Sequence, residues 1–323
     1  MICPHCSQSI TYKERSNNQC SKCYKEFAFE PKTHPLLLTD KYFSKVVEKL
    51  SDNGKLYYTP QQLMYAVSRK KMKSTSMVII IVVLAVVTSI IAAAIFFPLL
   101  VFVIPFWIIV ILAQIFYFGK FVSPPQSLEK FEASVIYRWR SIYVISPEKL
   151  IIEKPRQTFA SLNLRGILFC ETEEMASFII ANQLNIKYGV NVVYDLNSNL
   201  PDNLPIYVLH DATSEGVGLF ERVKTHFGTK RKVINLGLRP ASVINSKLTV
   251  FREKNYADNN FGSLTSAEKK WLKKGHYTPL FVLRPAQLIK YLDKQFERKG
   301  KPLQIENPEA KAKAIGFMTW ANE

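Results

Sequence analysis

The sequence predicts an α/β domain joined to a small zinc ribbon, a short helix-turn-helix or winged-helix-like segment and two transmembrane helices. Three observations predict this architecture. Strand-length apolar runs alternate with helix-length amphipathic runs from about Arg165 onward, the pattern of a mostly parallel sheet. Two Cys-x-x-Cys knuckles stand near the N-terminus, and the stretch from Met77 to Tyr117 carries no charge. The chain has 323 residues, of which 48% are hydrophobic, and its Lys and Arg (43) exceed its Asp and Glu (26) to leave a net charge of +17. That length suits about two ordinary domains. The charge points to nucleic acid or an anionic membrane surface. The composition excludes a disordered chain, a collagen-like chain and a disulfide-stapled scaffold. With the apolar block included, it also argues against a fully soluble protein.

The first element is the ribbon, expected over 1–30. Cys3-Pro-His-Cys6 and Cys20-Ser-Lys-Cys23 are separated by residues 7–19. Each tight turn converges two thiolates, and two such turns supply the four-sulfur tetrahedral shell that Zn²⁺ prefers. A ribbon this small and polar needs a metal in order to fold. Reduced, metal-bound thiols also place the N-terminus in the cytosol. His5 reads as a surface residue, and Cys170 in the run Gly166-Ile-Leu-Phe-Cys170 as a buried inert thiol.

The helical segment follows over 38–73. Phe43, Val46, Val47 and Leu50 recur at helical spacing across Asp40–Leu50, with Gly54 as the stop. Thr59-Pro60 opens a second helix through Leu63, Met64 and Val67. Two readings stay open here: a DNA-binding helical core, or a helical hairpin whose basic residues touch lipid headgroups.

A single helix over 77–117 would be about 60 Å long, twice the roughly 30 Å bilayer core. Two spans fit instead, Met77–Phe97 and Leu99–Phe118, with Pro98 at the bend. Arg69, Lys70, Lys71 and Lys73 precede the block, and Lys120, Lys130, Arg138 and Arg140 follow it. Positive flanks on both sides predict a two-pass protein of the inner (cytoplasmic) membrane with both termini cytoplasmic. Charge-free spans argue against a channel or pump. A juxtamembrane helix, Ser127–Arg140, and a small hairpin around Pro147 complete the region 127–160.

The α/β domain is expected over 161–300. Its strands are Ile167–Cys170, Val190–Tyr194, Ile206–Leu209 and Lys232–Leu236, and its helices Glu171–Asn185 and Glu215–Phe227. Thr265 and Glu268 form a capping box. Further helices are expected over Pro285–Phe296 and, after Asn307-Pro308, in a C-terminal helix or tail, 301–323. In a parallel sheet, function gathers at the carboxyl ends of the strands. Glu171 and Asp211 stand at two such ends, where two carboxylates suffice to hold Mg²⁺ or, alternatively, cap the helices that follow. His210 reads as structural. No P-loop, nucleophile elbow or zincin motif is present.

These residues resemble a known family. Ile167-Leu-Phe-Cys-Glu171-Thr-Glu173 is similar to the first Toprim motif. Ile206-Tyr-Val-Leu-His-Asp211-Ala-Thr213-Ser-Glu-Gly216 is similar to the second, the D-x-D-P-x-G of the topoisomerase VI A subunit and its meiotic break-forming relative. Val233-Ile-Asn-Leu-Gly-Leu-Arg-Pro240-Ala-Ser242 resembles the stretch that follows in those proteins, and Thr59-Pro-Gln-Gln-Leu-Met-Tyr65 their winged-helix signature. The resemblance covers about 39–70 and 162–296. It implies a Toprim-like α/β domain, Tyr65 as the nucleophile that becomes linked to DNA, and Glu171 and Asp211 as Mg²⁺ ligands. It also implies a homodimer and an ATPase partner. Three features depart from the pattern: Thr213 replaces the second Asp, Gln61 replaces the Arg beside the nucleophile, and the apolar block interrupts the chain. Two functions follow as expectations. One is a membrane-anchored, cytosol-facing DNA-binding protein with Mg²⁺-dependent, DNA-cleaving transesterase chemistry. The other is a non-catalytic membrane adaptor or sensor on a degenerate Toprim scaffold, in defence against foreign DNA.

Overall fold

A computed structural model describes residues 1–72, 84–88, 90, 100–113, 121–122, 126–153, 164–196, 200, 204–246, 248–252 and 264–298. The cysteine ribbon comes first. Each knuckle is flanked by an antiparallel bridge that closes its loop, Ile2 with Ser9 and Gln19 with Glu26, around a small core of Ile10 and Phe27.

Helix α1 (Asp40–Leu50) starts where Thr39 accepts the Tyr42 N–H, and it buries Phe43, Val47 and Leu50 on one stripe. The chain turns back through Asp52, Asn53 and Gly54, all at positive φ. Helix α2 (Pro60–Met72) is opened by Thr59. Here Thr59 Oγ1 accepts the Gln62 N–H and Gln62 Oε1 accepts the Thr59 N–H, a reciprocal capping box. Leu63, Met64 and Val67 of α2 share one core with α1 and with Phe131, Val135 and Ile136. The last three lie on a further helical run: α4 (Leu128–Phe131), a π-helical turn (Glu132–Tyr137) and α5 (Arg138–Tyr143). The expected hairpin around Pro147 is replaced by other pairing. Ile142 belongs to the end of α5, and Leu150 forms a parallel bridge with Tyr58.

The membrane expectation is corrected. Among the described residues, no helix is long and apolar enough to cross a membrane. Helix α3 (Leu100–Ala113) has 14 residues and carries Pro105 within it. At the helical rise these described residues cover about 21 Å, against a bilayer core of roughly 30 Å. Of the first expected span, Met77–Phe97, only 84–88 and 90 are described; the rest, like the tail over 301–323, lies outside the described residues. The two transmembrane helices, and with them the two-pass placement in the inner membrane, are not supported. The reason is that an uncharged run establishes apolar surface, whereas spanning requires that surface on one helix of about 20 residues, and among the described residues none reaches that length.

The α/β domain carries a four-stranded parallel sheet in the order β3-β2-β4-β5: β2 (Gly166–Cys170), β3 (Val190–Val193), β4 (Ile206–Leu209) and β5 (Val233–Asn235). All of β2 and β4 is buried, as expected for central strands covered on both faces. Alternate residues serve the two faces. Ile167 and Phe169 pack toward α8 (Ser214–Phe227) through Leu219 and Val223. Leu168 and Cys170 pack toward α6 (Glu173–Ala181) and α9 (Pro285–Glu297). The expected helix Glu171–Asn185 is two helices, α6 and α7 (Leu184–Tyr188), divided where Gln183 takes positive φ. A second sheet, unforeseen, joins β1 (Phe121–Val122), β6 (Val250–Arg252) and β7 (His276–Tyr277).

Candidate functional site

The strand order places a topological switch between β2 and β4, because the chain leaves β2 toward β3 on one side and returns to β4 on the other. A crevice opens at such a point beyond the carboxyl ends of the strands. Glu171 follows β2 and Asp211 follows β4 by one residue, so both carboxyls meet there. Glu171 Oε2 accepts the Asp211 backbone N–H at 2.6 Å, and Oε1 accepts the Thr213 hydroxyl at 3.4 Å. Asp211 Oδ1 accepts the Leu280 N–H at 2.7 Å. Thr213 also caps α8 by accepting the Gly216 N–H at 2.8 Å. A side chain at Gly216 would start 2.7 Å from Glu171 Oε2 and 2.6 Å from the Asp211 carbonyl, so this close approach requires glycine.

Burial raises the pKa of both carboxyls, and the charge of Asp211 adds to the rise at Glu171. His210 is held between the Asp211 carbonyl (Nδ1, 2.7 Å) and Asn235 Oδ1 (Nε2, 3.1 Å). Burial lowers its pKa to about 4.

Tyr65 lies on α2. Its ring packs 5.2 Å from Phe251 of β6, and it touches the cores of both the helical segment and the α/β domain. Its hydroxyl is raised by burial, then by Tyr277 and Asp211, which lie close enough for their charge to matter. The registration is provided by residues that sequence reasoning missed. Gln62, one helical turn before Tyr65, donates from Nε2 to the Leu283 carbonyl at 3.0 Å. Leu283 ends the short 3-10 turn Leu280–Val282, whose first N–H holds Asp211. One signal for Gln62 was available, the Thr59-x-x-Gln62 capping box. The Leu280 N–H is a main-chain donor and carries no sequence signal. Glu171 and Asp211 therefore meet at the switch point, and Tyr65 lies within electrostatic reach of Asp211.

The second site is the ribbon. The Sγ atoms of Cys3, Cys6, Cys20 and Cys23 lie within 4.8 Å of one another and could hold a metal ion. Cys3–Cys23 is 3.7 Å and Cys6–Cys20 is 3.9 Å. A tetrahedron with metal–sulfur bonds of about 2.3 Å has an edge of about 3.8 Å, so the donor set fits. His5 is exposed, yet its Nε2 lies 2.7 Å from the Glu26 carbonyl and ties the two knuckles together. Cys170 is buried, and desolvation raises its thiol.

No protein-family model matches the chain, and no curated protein or solved structure matches it either. Nothing in these comparisons identifies a topoisomerase VI A-like family.

Proposed function

We propose that the chain binds DNA and acts as a divalent-cation-dependent transesterase, with Tyr65 as nucleophile, Glu171 and Asp211 as the carboxylates for Mg²⁺, and Zn²⁺ as the ion of the four cysteines. The observation that supports this reading is that the helix of Tyr65 is tied to the switch point of the sheet: Gln62 donates to the Leu283 carbonyl, and Leu280 of the same turn donates to Asp211. Two buried carboxyls that repel each other suit a divalent cation, whose charge offsets theirs and that of the phosphoryl oxygens. In the reaction the Tyr65 oxygen bonds to phosphorus, the bond from phosphorus to the sugar oxygen breaks, the phenol proton leaves to water and the sugar oxygen takes a proton from water. A cut through both strands needs two tyrosines, so the acting unit is a dimer. The excess of Lys and Arg supplies phosphate contacts.

The test is incubation with supercoiled plasmid and Mg²⁺ or Mn²⁺. We expect nicked or linear DNA carrying covalently attached protein, and no adduct from Tyr65→Phe. An adduct that persists in Tyr65→Phe refutes the assignment. One observation favours the second reading, a non-catalytic scaffold: Thr213 occupies the position where the family pattern has a further carboxylate. DNA bound by the wild type without an adduct under any divalent cation decides for that reading.

A further inference from the structure

We propose that metal occupancy at the four cysteines sets the position of α1, and through it the helix that carries Tyr65, with Asp40 as the residue that transmits it. The inference rests on the cysteines holding an ion, and it concerns what that ion does to the rest of the chain. Asp40 is the first residue of α1 and is 1% exposed. Its carboxylate is fully engaged by other parts of the molecule. Oδ2 accepts the Ala28 N–H at 2.8 Å and Oδ1 the Phe29 N–H at 2.9 Å, both from the segment that leaves the second knuckle. Oδ2 also accepts the Tyr143 hydroxyl at 2.5 Å.

Tyr143 is the other half of the link. Its ring stacks on His5 at 5.8 Å and on Trp139 at 4.1 Å, and Trp139 packs on Phe43 of α1 at 4.7 Å. His5 lies between two of the cysteines, so its place follows the knuckle. A chain of contacts thus runs from the metal site, by way of His5 and Tyr143 on one path and Ala28 and Phe29 on the other, to one buried carboxylate. That carboxylate sits at the N-terminus of α1, where the helix dipole favours negative charge. Helices α1 and α2 then share a core through Phe43, Val47, Leu63 and Val67. Without the ion the four thiols have no common partner, both paths lose their anchored end, and α1 and α2 loosen while the parallel sheet stays folded.

The experiment is amide hydrogen exchange on the full chain, with and without a zinc chelator, alongside metal analysis. We expect one equivalent of metal in the protein as purified. On its removal, exchange over 40–50 and 60–69 should quicken by about tenfold or more, protection over 166–209 should hold, and added Zn²⁺ should restore the rest. Asp40→Asn should keep its metal yet show the faster exchange over 40–50 with the ion present, and respond little to chelation. Metal lost with no change over 40–69 overturns the proposal while leaving the metal site in place. Protection lost equally over 166–209 overturns it too, since that is general unfolding. A chain that holds no metal and takes up none overturns the metal site and the proposal together.

Discussion

The buried pair Glu171 and Asp211 should make this fold less stable as pH rises toward neutrality. Burial, and then the charge of Asp211, push Glu171 up to about 8, and burial pushes Asp211 up to about 7. In the unfolded chain both titrate near about 4. The folded pKa values lie above the unfolded ones, so the native state holds protons that the unfolded state has released. The stabilisation is therefore complete below about pH 4 and is lost as the pH rises through the folded values. Between about pH 5 and pH 7 the unfolding free energy should fall by up to about 1.4 kcal/mol per pH unit for each proton retained. The perturbation is Glu171→Gln, which removes one titrating group, the one on which the Asp211 charge acts. Urea unfolding of both proteins at about pH 5, 6 and 7 gives the two slopes; the lowered pKa values of His210 and His276 add an opposite slope to both proteins alike, so the wild type should lose more stability per pH unit than the variant, by up to about 1.4 kcal/mol. Glu268 does not confuse the reading. Although its burial works to raise it, hydrogen bonds and the Arg239 charge lower it overall, so its contribution is lost only in acid. Equal slopes in the two proteins would refute the account of this site.

Gly237→Ala should cost about 1–3 kcal/mol in the same unfolding assay, because a Cβ there would start 2.5 Å from Cγ and Nε2 of the buried His210 ring; a variant as stable as the wild type would show that the ring is not fixed beneath it. Under the proposed DNA-binding function, affinity read by fluorescence anisotropy across a salt series should fall steeply as salt rises, because a net charge of +17 favours phosphate contacts. A flat dependence counts against the DNA reading.

What the sequence disclosed follows the range of the interactions involved. Helix α1 was legible to the residue, because its apolar stripe and the Gly54 turn are local. Strands β2 and β4 were legible because central parallel strands are continuous apolar runs. Glu171 and Asp211 followed from the strand ends alone, while Tyr65 came only through the family resemblance. The second sheet was not legible, since strands of two or three residues have no period to detect and pair across long separations. The division of Glu171–Asn185 was hidden for a similar reason. Asn182 accepts the Tyr57 N–H at 2.9 Å and donates to the Tyr57 carbonyl at 3.1 Å, contacts that only the folded chain creates. The apolar block misled because hydropathy counts side chains without regard to whether one helix carries them.

Thr213 decides how far the site can serve a metal, and its two hydrogen bonds suggest the test. The hydroxyl caps α8 and at the same time donates to Glu171, so it stabilises the site in the absence of any cation. An aspartate at 213 would still cap the helix, but it would replace a donor with a third negative charge beside two carboxyls whose pKa values are already raised. Without divalent cations, Thr213→Asp should therefore lower the unfolding midpoint near neutral pH. With millimolar Mg²⁺ the three carboxylates should bind the ion more tightly than two do, and the midpoint should rise further with Mg²⁺ in the variant than in the wild type. A variant whose midpoint ignores Mg²⁺ would mean that Glu171 and Asp211 do not converge on a cation. The switch point would then be a capped, hydrogen-bonded strand end, and Tyr65 would owe its position to packing against Phe251.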